Sequence, residues 1–253
     1  MSFTSHALFV AAVALASYVQ NLTGFAFGLI LLGLVGLLHL APLADVTNVV
    51  SILTLVNLVV LLRAGLPPLD WRSFLPTLAA SLVGVGLGVA LLNWMSDNVV
   101  QGLRALLGAT IVLAAALLVA QPRTREQLSG RGAFAFTGLL SGVMGGVFST
   151  AGPPLVFHYY RQPMPLAQVR AALILVFAAN AVLRLGLLAA SGRVNAHTLW
   201  MSLEAAPVVL GVSWLALRRP PPWSADTLKR IAGALLVVVG VSLLGPAALK
   251  LVR

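Results

Sequence analysis

Apolar runs of about 17–22 residues alternate along the chain with short segments that hold its charges and turn formers. Residues 46–62 lie between Asp45 and Arg63, residues 74–92 follow Pro67, Pro68, Asp70 and Arg72, and residues 99–120 run from Asp97 and Asn98 to Gln121, Pro122 and Arg123. Beyond a polar segment at 121–131 come runs at 169–190, 198–217 and 231–249, separated by Ser191-Gly192-Arg193 and by Arg218-Arg219-Pro220-Pro221-Pro222-Trp223. Backbone groups cannot go unpaired in hydrocarbon, so each run predicts one membrane-spanning helix.

Two stretches do not fit single spans. Residues 5–41 carry no Lys, Arg, Asp or Glu, yet they are too long for one helix and are interrupted by Gln20-Asn21-Leu22-Thr23-Gly24-Phe25-Ala26-Phe27-Gly28. Residues 133–160 are interrupted between Gly142 and Pro154. Each predicts a hairpin of two short helices broken at its tip. The order of a broken hairpin followed by three spans therefore occurs twice, which divides the chain into repeats at 1–120 and 132–253 joined by a cytoplasmic loop at 121–131. Asn57 falls opposite Asn180, Gly84 opposite Gly211 and residues 103–108 opposite 228–233, at offsets of 123–127.

Composition agrees with a bilayer setting. Of 253 residues 60% are hydrophobic and 9% charged, too few polar groups to cover a soluble surface. The fold class is an all-α polytopic membrane protein of two inverted-topology repeats, and no cleaved signal is expected at its start. With no cysteine and four scattered histidines, disulfides, Fe–S clusters, thiol chemistry and a metal site are not expected. The net charge of +10 sits in short loops, where it sets orientation rather than binding nucleic acid. Loops holding Arg63/Arg72, Arg123/Arg125/Arg131, Arg161/Arg170 and Arg218/Arg219/Lys229/Arg230 should be cytoplasmic, which makes the first hairpin begin and end outside, the second inside, and both termini extracytoplasmic. Trp71, Trp94, Trp200, Trp214 and Trp223 fall near span ends as interfacial anchors.

Interrupted helices in inverted repeats offer an anion what hydrocarbon cannot: free N–H groups at half-helix ends, backed by the helix dipole. In the first break Gln20, Asn21 and Thr23 are the donors, flanked by Gly24 and Gly28. In the second, Gly145, Gly146 and Gly152 allow close backbone approach, Ser149 and Thr150 supply hydroxyls, and Pro153 with Pro154 suits the first turn of a returning helix. Asn57 and Asn180 are candidates to line the pathway, with interhelical hydrogen bonding as the alternative. The glycines alone are also compatible with close helix packing.

At these residues the chain resembles the sulfite exporter TauE/SafE family of membrane permeases. Ser141-Gly142-Val143-Met144-Gly145-Gly146-Val147-Phe148-Ser149-Thr150-Ala151-Gly152-Pro153-Pro154-Leu155 is similar to the family's second-half motif, a Gly-rich run leading into Gly-Pro. The segment from Gln20 to Gly28 is similar to a first-half Gln-x-x-x-Gly-Phe-Gly pattern, departing by Ala26 where Gly is more usual. The resemblance implies movement of sulfite, organosulfonates, related sulfur-containing anions or small carboxylates.

A charge at a helix centre costs at least about 2.5–3.5 kcal/mol, so ionisable residues inside spans need a reason. Glu204 lies about 10 Å into its helix at 1.5 Å per residue. It is a candidate for proton coupling, against a structural pairing with Arg104 or Arg184 or a simply interfacial position. For those two arginines, snorkelling to the interface is the favoured reading over attraction of an anion. His158 with Tyr159, Tyr160 and Arg161 closes the second hairpin near the cytoplasmic face; an aromatic belt with a loop arginine is the favoured reading over an anion vestibule, and His6 and His39 are assigned no role.

No nucleophile elbow, acidic dyad or phosphate loop is written into these residues, so no enzyme activity, catalytic residue or cofactor is expected. The reading is a secondary transporter for a small anion in a bacterial plasma (inner) membrane, with the lipid bilayer as its other partner, no nucleic acid, and a homodimer allowed. A passive anion channel and a non-transporting membrane scaffold are the alternatives.

Overall fold

A computed structural model describes residues 3–94, 108–113, 116, 124–150, 153–218, 234 and 237. Regular structure among them is all helical: α1 Phe3–Thr23, α2 Phe27–Leu37, α3 Leu43–Ala64, α4 Trp71–Trp94, α5 Arg131–Phe148, α6 Pro153–Tyr160, α7 Leu166–Ala190 and α8 Ala196–Arg218. Among the described residues, six of these helices are long and apolar enough to cross a membrane, all but α2 and α6. The protein is a multi-pass, all-α membrane protein. The spans predicted at 99–120 and 231–249 lie mostly outside the described residues, as do Arg104, Gly152, Trp223 and the matched segments 103–108 and 228–233.

Both hairpins form, but each joins one long helix to one short helix rather than two short ones. α5 runs without interruption through Gly142, Gly145 and Gly146 to Phe148, so the second break starts at Ser149. The physical reason is the neighbour. A glycine inside a helix costs only about 1 kcal/mol relative to alanine, and the missing Cβ atoms let α4 lie directly against α5. A Cβ on Gly142 would stand 2.0 Å from the Ser81 carbonyl oxygen, and one on Gly84 2.3 Å from that of Leu139. The packing reading of these glycines thus holds within α5. α3 and α7 also begin earlier than the charge pattern suggests, at Leu43 and Leu166, because Pro42 and Pro165 cap them and Asp45 sits favourably in a first turn.

Side-chain pairs fix the directions of the helices. His6 of α1 meets Glu204 of α8 at 2.8 Å, and further along the same two helices Ser17 meets Ser213 at 3.2 Å. Asp45 at the start of α3 binds Asn195 and His197 at the start of α8, so both ends of the first hairpin lie at the face of the turn between α7 and α8. The second hairpin has both ends at the opposite face, where the Phe134 ring packs on Tyr159 at 5.3 Å and the Arg125 N–H donates to the Arg161 carbonyl at 2.8 Å. Tyr159 also reaches Thr77 at 3.2 Å, which places the start of α4 there. Arg63, Arg72, Arg125, Arg131, Arg161, Arg170 and Arg218 therefore gather toward one face, the cytoplasmic one by the positive-inside rule. Trp71, Trp94, Trp200 and Trp214 are exposed, as anchors are.

Each break contains a non-glycine residue with left-handed backbone, Ala26 at φ 77° and Ser149 at φ 57°, and the first also holds Gly24 at φ 77°. Left-handed backbone costs an alanine about 1–2 kcal/mol, while a glycine there loses about 0.4–1 kcal/mol more unfolded-state entropy on folding. Ala26→Gly should therefore stabilise the protein by roughly 0.5–1 kcal/mol, read as a higher thermal midpoint in detergent.

Candidate functional site

The two breaks converge. A cavity of about 30 Å³ is lined by Gln20, Phe25, Ala26, Phe27, Gly28 and Leu29 from the first hairpin and by Gly145, Ser149 and Thr150 from the second. Thr54 of α3 and Phe177, Asn180, Ala181 and Arg184 of α7 complete the wall. Thr54 stands midway along Leu43–Ala64, about 16 Å from its start at 1.5 Å per residue, so the cavity lies near mid-membrane. Its volume is room for about two water-sized groups.

Its polarity is one-sided. Phe27, Gly28 and Leu29 form the first turn of α2, whose earliest backbone bond runs from the Ile30 N–H to the Ala26 carbonyl. Ala26 has no side chain that could cap this turn, so the positive end of the helix faces the cavity. Thr150 is 3% exposed and its Oγ1 has no hydrogen-bond partner among the described residues. Asn180 is 4% exposed; its Oδ1 accepts from Ser81 at 3.0 Å while its Nδ2 has no partner among them. Buried polar groups are almost always satisfied, and both of these border the same space.

Arg184 is the residue that the sequence reading misplaces. It does not snorkel but is 1% exposed, the largest fully buried side chain among the described residues. Its Nε donates to the Gly146 carbonyl at 3.0 Å, Nη1 to Asn48 Oδ1 at 2.9 Å and Ser51 Oγ at 3.2 Å, and Nη2 to Thr47 Oγ1 at 3.1 Å. All of these acceptors are neutral, and no carboxylate pairs with Arg184 among the described residues. The reason it can stay buried is the first turns of α3, where Thr47, Ser51 and Thr54 follow one another down one helix face. That polar stripe within an apolar span was the available signal.

The remaining candidates divide by position. Gln20, Gly28, Gly145, Ser149, Thr150 and Asn180 line the cavity. A Cβ on Gly28 would come within 2.5 Å of Thr150 Cγ2, so glycine brings the two breaks together. Asn21 instead turns to α8, donating to Ser213 Oγ at 2.8 Å, and Asn57 accepts from the same Ser213 at 2.7 Å. The Thr23 hydroxyl donates to the Val19 carbonyl at 2.7 Å, closing its own helix, and Gly24 packs against the Arg170 backbone. Gly146 lies against Val85 and Gly88 of α4, and Pro153 opens α6 as a buried first residue. Glu204 pairs with His6 and, among the described residues, with no arginine, and the two side chains are 33% and 43% exposed; neither lines the cavity. Ser149 Oγ contacts Ser51 Oγ, which links the second break to the Arg184 cluster.

The family described as sulfite exporter TauE/SafE matches residues 9–243. The chain is 37% identical over 231 residues to a probable sulfite/organosulfonate exporter TauE of Cupriavidus necator, covering 91% of this chain and 90% of that protein. No solved structure matches it.

Proposed function

The chain belongs to the sulfite exporter TauE/SafE family, and on that premise we propose that it is a secondary carrier moving sulfite, organosulfonates or related sulfur-containing anions through the cavity between its two breaks. Its setting is a bacterial inner membrane. The observation that carries the reading is Arg184, a buried guanidinium at the cavity wall whose acceptors among the described residues are all neutral. A buried charge without an opposite partner is costly, and an oxyanion in the cavity supplies that partner. The N–H groups at the start of α2, Thr150 Oγ1 and Asn180 Nδ2 surround the same space as further donors. Asn21, Thr23, Gly24, Gly146, Pro153 and Asn57 then serve as the framework that holds the two breaks; Gly152 stays a candidate of the second break.

In this reading residues 1–120 and 132–253 are inverted repeats joined by 121–131. The hairpins entering from opposite faces support it. So does a hydrogen bond that occurs twice with the halves exchanged: Ser213 of α8 to Asn57 of α3, and Ser81 of α4 to Asn180 of α7. Alternating access would follow from two such halves rocking about the cavity. For coupling we propose the pair of Glu204 and His6 as the group that exchanges a proton.

The test is uptake of sulfite, an alkylsulfonate and thiosulfate into proteoliposomes, with and without an imposed pH gradient. Saturable flux that follows the gradient is the expected result, and Glu204→Gln should keep flux down the anion gradient while removing its response to pH. Non-saturating flux would favour a channel; none for any anion would overturn the reading and favour a scaffold.

A further inference from the structure

On the basic-face side of the cavity one small group of residues ties the two hairpins together. Tyr160, the last residue of α6, donates its hydroxyl to the Thr23 carbonyl, the final residue of α1, and its ring meets Phe25 edge-on at 6.2 Å. Phe25 is also a wall of the cavity. One residue of the second hairpin thus clasps the first break across the cavity floor. Behind the clasp lies α7, where Arg170 hydrogen-bonds the same Tyr160 hydroxyl and its backbone is so close to Gly24 that a Cβ there would stand 3.0 Å from the Arg170 Cα. The Arg170 Nε is buried and has no hydrogen-bond partner among the described residues, and the same is true of Arg161 Nε, whose guanidinium lies 5.3 Å from the Phe157 ring.

We propose that the clasp of Tyr160 on Thr23 and Phe25 is the cytoplasmic gate of the cavity, and that Arg170 is an anion-capture residue that releases it. This rests on the anion-carrier reading above. The chemistry is competition for one guanidinium. An oxyanion arriving from the cytoplasm is a stronger acceptor for Arg170 than a neutral phenol oxygen, so capture withdraws the bond that holds the Tyr160 hydroxyl in place. The phenol is then free to leave the Thr23 carbonyl, and the Phe25 ring can swing from the floor. Capture and opening are the same event, so the gate yields to an anion and not to a cation.

The chain has no cysteine, which makes the test direct. Ala181→Cys places one thiol on the cavity wall, and its reaction with membrane-impermeant thiol reagents of either charge is timed from each side in oriented vesicles. Tyr160→Phe keeps the ring but removes the hydroxyl, and it should speed labelling from the cytoplasmic side about five- to tenfold, the worth of one hydrogen bond, without changing labelling from the other side. Arg170→Gln should slow the anionic reagent about fivefold relative to the cationic one. Phe25→Leu, which thins the ring contact, should act in the direction of Tyr160→Phe. Labelling unaltered by Tyr160→Phe, or altered equally from both sides, overturns the gate. Equal effects of Arg170→Gln on both reagents overturn capture. Side-specific labelling together with no flux of any sulfur anion would leave the gate standing and reject the carrier reading instead.

Discussion

Arg184→Gln should lower sulfite uptake by between tenfold and about a hundredfold, because it removes the one formal positive charge of the cavity wall among the described residues and a charge-assisted hydrogen bond worth about 1.5–3 kcal/mol. Glutamine keeps an amide donor that can still reach some of the four residues now holding the guanidinium, Thr47, Asn48, Ser51 and Gly146. The protein should therefore still insert and run as a single species in detergent. Arg184→Lys separates charge from shape: a point charge preserves attraction but cannot fork between α3 and α5, so its flux should fall between that of wild type and Arg184→Gln. Substrate binding measured by tryptophan fluorescence or calorimetry should weaken in the same order. A folded Arg184→Gln protein with undiminished uptake would remove the cavity from the transport path.

How much of this site the residues disclosed depended on what interrupts what. Polar residues and glycines that break long apolar runs are visible against their background, so both hairpins and their order in the chain were readable, and Gln20, Gly28, Ser149 and Thr150 were recognised at the tips. A glycine that interrupts nothing looks the same in a string of letters. Gly142 and Gly146 continue their helix because α4 fills the space where a Cβ would be, and only the neighbour's position tells a packing glycine from a breaking one. Arg184 was misplaced for the reverse reason. Six residues from the end of α7, it has a stem long enough to reach the interface, and the choice between snorkelling and burial is made on α3, more than a hundred residues away, by Thr47, Asn48 and Ser51. Asn21 and Asn57 show the same limit: each sits at the right height, but both turn toward Ser213 of α8.

The packing glycines lead to the other large effect. Gly142→Ala should destabilise the protein by 3 kcal/mol or more, beyond the range of about 1–3 kcal/mol usual for overpacking, because the atom in its way is a backbone oxygen. An added Cβ would lie 2.0 Å from the Ser81 carbonyl oxygen, and no rotamer change can move that atom; α4 itself must retreat. Gly138, Gly146, Gly84 and Gly88 make comparably close approaches along the same two helices, so a retreat at one turn loosens several. Gly86→Ala is the control within α4: among the described residues nothing lies within 4 Å of its Cβ position, and alanine there should raise the thermal midpoint slightly through helix propensity. The two variants add one methyl each and differ in effect only through what stands opposite. Gly142→Ala should also reach the cavity, since Ser81 holds Asn180 in its wall at 3.0 Å and moves with α4. Any Gly142→Ala protein that survives extraction should then bind sulfite more weakly than wild type, whereas Gly86→Ala should bind it equally well. Equal stability of the two variants would mean that α4 and α5 do not pack at this distance, and the close helix pair that seats the second break would have to be abandoned.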